Sequence, residues 1–149
     1  MDGDARNVWC DVPDWGGIGA RRLVRSESDR LGASVWELAP GGGQFVYHYH
    51  AGTEELLVVL RGRPTVQTPE GEIVLEEGDV LPFEAGPAGG HRFRNDGDVP
   101  ARVLVVAAHA QPDVAFYPEV GKVAAIVGGV HTFFRAADAV EHAGPEDDL

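Results

Sequence analysis

The chain has one cysteine, no apolar run as long as 18 residues, and 12 basic against 24 acidic residues in 149 positions. Each shortage excludes something. Cys10 alone cannot close an intrachain disulfide. A thiol outside any CxxC spacing is more often a small buried residue than a metal ligand. Without a long apolar run, no membrane-spanning helix is expected. A net charge of −12 speaks against nucleic acid, whose phosphates demand a basic surface, and against anionic membrane surfaces. The opening residues MDGDARNVWCDV carry neither the basic segment nor the apolar stretch of a secretory signal. Together with the lone thiol, they lead us to expect a cytoplasmic protein. A long helical period is missing as well.

What is present is a 44% hydrophobic composition, enough for one globular domain with a real core. It is cut into short pieces. ASVWELA, LLVVL, PTVQT, EIVLEE, VLPF, HRFRN and RVLVVAA follow one another with Gly, Pro and Asp turns between them. Strands recurring at this spacing predict an all-β sandwich or barrel. RVLVVAA, apolar almost throughout, reads as a fully buried strand.

Around these strands lie two flanking regions. Residues 1–32 form an N-terminal arm or extra strand, in which Trp9 and Trp15 suggest packing against the rest. Arg21, Arg22 and Arg25 make a basic patch with two readings: a solvated face with internal ion pairs, or a contact for an anionic substrate or partner subunit. In the extension 109–149, TFFRAADAVEH places Phe133, Phe134, Ala137 and Val140 at helical spacing, predicting a short C-terminal helix. The acidic end PEDDL is expected to be disordered. His109, His131 and His142 are assigned no ligand role.

The chemistry concentrates between Gly42 and Gly62, GGQFVYHYHAGTEELLVVLRG. His48 and His50 are two apart on a segment rich in Phe, Val and Tyr. On a strand such residues share one face, and two imidazoles on one face can bind one ion. Gln44 and Val46 share that inward phase, whereas Phe45, Tyr47 and Tyr49 point outward. Glu55 follows at the head of LLVVL.

The pattern Gly42, His48, His50, Glu55, Gly62 resembles the first motif of the cupin superfamily. GDVLPFEAGPAGGHRFRN, Gly78 to Asn95, resembles the second, with two departures: Glu84 stands where the motif has Pro, and four residues rather than two separate Gly86 from His91. The resemblance covers roughly residues 33–108 and implies a double-stranded β-helix, or jelly-roll, barrel. FYPEVGKVAA in the extension is similar to a segment of small single-domain cupins. The resemblance also implies the site: His48, His50, Glu55 and His91 as ligands to a divalent metal. Gln44 and Phe93, which share the ligands' inward phase, are expected on the pocket wall. Three imidazoles and one carboxylate suit Fe(II), Mn(II), Ni(II), Cu(II) or Zn(II), and four protein ligands leave positions open on an octahedral ion.

Two functions fit such a site. One is a metal-dependent enzyme, of dioxygenase or isomerase type, acting on a small-molecule metabolite. The other is a cupin that captures metal or ligand without turnover. Cupins of this size are commonly dimers, and the outward aromatics Phe45, Tyr47 and Tyr49 predict a homodimer face. The gap to Gly62 selects Glu55 rather than Glu54 as the inward carboxylate.

Overall fold

The computed structural model describes residues 6–13, 16–43 and 46–141. One layer contains β1 (Ile18–Arg25), β2 (Leu31–Leu38), β9 (Ala101–Ala108), β4 (Glu54–Arg61) and β7 (Val80–Phe83), hydrogen-bonded in that order. All neighbours are antiparallel. The central strand is β9, the one with the near-continuous apolar run. It is buried at five of its eight positions, as a strand covered on both faces should be.

The second layer has two parts. β3 (Tyr49–His50), β10 (Asp113–Tyr117), β11 (Lys122–Val127) and β12 (Val130–Arg135) form one, and β5 (Thr65–Thr68), β6 (Gly71–Val74) and β8 (Arg92–Arg94) the other. A bridge between His48 and His91 stitches the two together. The fold is an all-β sandwich. Its core runs from Leu38, Leu57, Val59 and Val103 in the first layer to Val66 and Phe93 in the second. Burying each of the larger side chains contributes about 1.5–3 kcal/mol.

The strand phase around Glu55 is settled by burial. Leu57 and Val59 are 0% and 1% exposed, whereas Leu56 is 37% exposed. Residues two apart on a strand share a face, so Glu55 looks inward with Leu57, and Glu54 looks out. Part of the outer face of the first layer, over Gly19 and Arg102, is covered by the N-terminal arm. A Cβ on Gly19 would come within 2.0 Å of the Pro13 carbonyl oxygen. The Arg102 guanidinium donates to the Cys10 carbonyl and lies 5.8 Å from the Trp9 ring centroid. Trp15 lies outside the described residues.

Two expectations are corrected. The strand expected through QFVYHYH is reduced, among the described residues, to β3 and the bridge at His48. The C-terminal helix expected on Phe133, Phe134, Ala137 and Val140 is not formed. Phe133 and Phe134 belong to β12, and only a short 3₁₀ turn, Ala136–Asp138, follows. Local chemistry explains this. Gly128 and Gly129 both take left-handed φ angles, +57° and +79°, the conformation of a tight two-residue hairpin turn. The β-branched and aromatic residues after it then pair with β11 from Val127–Val130 outward. Among the described residues no helix is long and apolar enough to cross a membrane.

Candidate metal centre

Three imidazoles and one carboxylate meet where the two layers face each other. His48 enters from the bridge beside β3, His50 from β3 itself, and Glu55 from the start of β4. The donor atoms of these three lie within 4.8 Å of one another. His91 arrives at the end of the loop before β8, and its Nε2 is 3.2 Å from Glu55 Oε2.

Each histidine is held by its other nitrogen. His48 Nδ1 lies 3.1 Å from the Val46 carbonyl oxygen, and His91 Nδ1 lies 2.9 Å from that of Gly89. His50 Nδ1 is 2.9 Å from the Asp113 carboxylate. Each of these partners accepts a hydrogen bond, so Nδ1 is the donor, and in the neutral ring it is Nε2 that carries the lone pair a metal can use. Such anchoring is what orients a ligating imidazole.

Asp113, on β10, is brought to His50 by the pairing of Ala115 with His50. Its other oxygen accepts from the Gly52 and Val114 backbone N–H groups. Burial pushes its carboxyl up, but the Thr53 hydroxyl, those amides and His50 outweigh burial and hold it below the ordinary carboxylate range.

Glu55 is the unsatisfied member. Its Oε2 is buried and makes no hydrogen bond of acceptable geometry; His91 is near but badly aligned. Burial pushes its carboxyl up, yet His91, with His50 and His48 behind it, holds it below the ordinary range. His48 is pushed down to about 4, first by burial and then by His91, so its ring is neutral at pH 7. A buried carboxylate oxygen with only a poorly aligned imidazole beside it is an arrangement that costs free energy alone. A divalent cation would satisfy it, and the donor set fits one.

The expected second-motif departure has a structural basis. The extra residues form a 3₁₀ turn, Pro87–Gly89. A Cβ on Gly89 would come within 1.7 Å of the Glu84 carbonyl oxygen, and one on Gly90 within 2.2 Å of Tyr47 Oη. Two glycines let the longer loop fold tightly enough to face His91 toward Glu55, its ring stacked on Phe83 at 3.7 Å.

The pocket wall differs from expectation. Gln44 lies outside the described residues. Phe93 is fully buried in the core behind Trp36, edge-to-face at 6.0 Å, and does not line the cavity beside Glu55. Its inward phase is as expected, but two residues past His91 along β8 lie deeper than the site. The cavity, of about 280 Å³, is lined instead by Trp36, Ser34, His109, Arg22, Arg25 and Glu55, among others.

Tyr117 is a site neighbour that the two motifs do not reveal. At the end of β10 it stacks on His48 with ring centroids 5.6 Å apart. Burial, then the Glu55 charge, raises its phenol above the ordinary value, so it holds its proton at neutral pH. The one signal for it lay in the segment FYPEVG.

Comparison with known proteins bears on this geometry. Residues 34–107 match the Cupin_2 family model, described as a cupin domain. The tetracenomycin polyketide synthase protein TcmJ of Streptomyces glaucescens is 34% identical over 87 residues, which are 58% of this chain and 54% of that protein. The chain therefore spans about half the length of that relative. A crystal structure from Silicibacter pomeroyi, described as a sugar phosphate isomerase from a cupin superfamily, superposes with a TM-score of 0.73 at 27% identity. The match covers 85% of this chain and 82% of that one. The polyketide cyclase RemF of Streptomyces resistomycificus shares the fold, with a TM-score of 0.54 at 23% identity, over 65% of this chain and 69% of its own.

Proposed function

We propose, for a chain that belongs to the cupin superfamily, that His48, His50, Glu55 and His91 bind one divalent transition metal. We further propose that the centre acts on a small-molecule metabolite by isomerase-type proton transfer. The observation that carries the reading is the buried Glu55 Oε2, which makes no hydrogen bond, among imidazoles whose Nδ1 atoms are already engaged. A divalent ion there would act as a Lewis acid on the oxygens of a hydroxy-carbonyl substrate.

The chain's own residues supply the rest. Asp113 fixes the His50 ring, Phe83 backs His91, and Tyr117 keeps a proton beside His48. A phenol that is protonated at neutral pH and stands at the site is suited to give a proton to a substrate oxygen. Proton transfer next to a carbonyl is favoured over oxygen chemistry by Tyr117 and by the isomerase description of the Silicibacter pomeroyi structure.

The test uses metal-loaded protein with a panel of small hydroxy-aldehydes and hydroxy-ketones in D₂O, read by proton NMR. Exchange of the hydrogen on the carbon beside the carbonyl is expected. In Tyr117→Phe it should fall by about tenfold or more at unchanged metal content. Bound metal without exchange would favour the second reading, a non-catalytic metal- or ligand-binding module.

The homodimer is part of the same proposal, but its expected face changes. Tyr49 stacks on Phe116 of the same chain at 4.9 Å, and Tyr47 packs against Gly90. Phe45 lies outside the described residues. Exposed apolar side chains are found instead on the β11–β12 hairpin: Val127, Val130, Phe133 and Phe134.

A further inference from the structure

The cavity beside Glu55 has a second end. The first layer lines up in rows perpendicular to its strands: Arg25 is opposite Gly32, Gly32 opposite Ala107, Ala107 opposite Glu55, and Glu55 opposite Phe83. The next row runs Arg22, Ser34, Val105, Leu57, Leu81. Both rows lie on the inner face, the face of Glu55 and Leu57. Between the arginines on β1 and the carboxylate on β4 the floor is therefore built of Gly32, Ser34, Ala107 and Val105, with Trp36 also lining the cavity. Three inter-strand spacings, about 14 Å of backbone, separate the ends, and Gly32 and Ala107 keep the row that ends at Glu55 low.

The cationic end has an organised character. Arg25 is held by Asp29, which also accepts from Gln111. Arg22, like Arg21 and Arg30, has no side-chain hydrogen-bond or ion-pair partner among the described residues, whereas Arg61, Arg92, Arg94 and Arg102 each have one; of those three, Arg22 lines the cavity. His109 leans in over Gly32, where a Cβ would stand only 2.9 Å from its Nε2. In a chain of net charge −12, a free guanidinium at a cavity mouth has a local cause to be sought. Arg22, Arg25 (already paired with Asp29) and the His109 imidazole, which burial holds below its ordinary pKa, together offer more N–H donors than a single carboxylate needs. They match a phosphoryl group, which has three acceptor oxygens and a charge near −2.

We propose that Arg22, Arg25 and His109 bind the phosphate of a phosphorylated small-molecule substrate whose other end reaches Glu55 and its histidines. The substrate class is a short phosphate monoester, sized to a cavity of about 280 Å³. For the far end of the substrate this rests on the metal-centre reading; the phosphate end stands on the cavity and its cations.

The experiment is a calorimetric titration with glycerol 3-phosphate, with glycerol and lactate as uncharged and carboxylate controls. Metal content is measured on every sample. Glycerol 3-phosphate should bind at least tenfold more tightly than either control. The Arg22→Gln/Arg25→Gln double variant should weaken it at least tenfold with metal content unchanged. Arg21→Gln, on the other face of the same strand, should leave it unchanged. Equal affinity for lactate or glycerol, or a double variant that binds like the parent, would overturn the proposal. Wild-type protein without metal would sink the metal-centre reading instead, and the phosphate titration would still be read.

Discussion

Asp113 shows how much of the candidate centre depends on a residue that supplies no donor atom of its own. It is 63 positions from His50 in sequence and 2.9 Å away in space. Its neighbours satisfy both its oxygens, so Asp113→Asn should keep the fold while weakening the hold on the His50 ring. Loss of such a supporting carboxylate typically lowers metal affinity 10–100-fold, roughly. Competition against a chromophoric chelator should show that loss with an unchanged circular dichroism spectrum; unchanged affinity would deny Asp113 its positioning role. The candidate donors themselves were legible, because His48, His50 and Glu55 sit within eight consecutive positions and strand alternation governs their faces. Asp113, Tyr117 and His109 were not. They come from β10 and from the chain just before it, and the pairing of β10 with β3 brings the first two in. No local pattern announces a contact of that sequence separation. His109 lies outside both motifs, and nothing in the sequence around it points to the site.

At the scale of elements, alternation and continuity were reliable guides, and helical spacing over a short stretch was not. HRFRN alternates as expected, with His91, Phe93 and Asn95 buried and the arginines between them half-buried. The run RVLVVAA became the strand covered on both faces. TFFRAADAVEH failed because four apolar residues at helical spacing are weak evidence beside a Gly-Gly pair that closes a hairpin. That pair, in the sequence VGGV, was the missed signal. Gly128→Val puts a β-branched side chain at a φ of +57°, at a cost of about 1–2 kcal/mol. The melting temperature should drop and hydrogen exchange should quicken across β12, while metal content stays at the parent value. A variant with unchanged exchange in β12 would show that the turn does not hold this hairpin.

For the whole molecule, acid sensitivity follows from His48. Its ring titrates near 6.5 when unfolded and about 4 when folded. Between those values the unfolded chain takes up a proton that the folded chain excludes, so acidification favours unfolding. The loss begins as pH falls through about 6.5 and is complete near 4, amounting to about 3 kcal/mol for this group. Glu55 and Asp113, both held below the ordinary carboxylate range, add to the loss as pH falls further. The urea midpoint, measured with a chelator present, should therefore fall between pH 7 and pH 4.5, and fall less in His48→Gln. A midpoint flat over that range would contradict the buried neutral ring. Association belongs to this scale too. Val127, Val130, Phe133 and Phe134 are each more than half exposed on an edge hairpin, a surface that invites a partner. Light scattering should give a dimer at micromolar concentration, reduced to monomer by Phe133→Ser/Phe134→Ser; a monomeric parent would contradict it.

The central claim is that Glu55, not its neighbour, completes a metal centre with His48, His50 and His91. Elemental analysis of protein purified without chelator, alongside Glu55→Ala and Glu54→Ala, tests it most directly. The parent and Glu54→Ala should carry close to one divalent transition metal per chain. Glu55→Ala should lose most of it while remaining folded. Equal metal in both variants, or the loss falling on Glu54→Ala, would contradict the account.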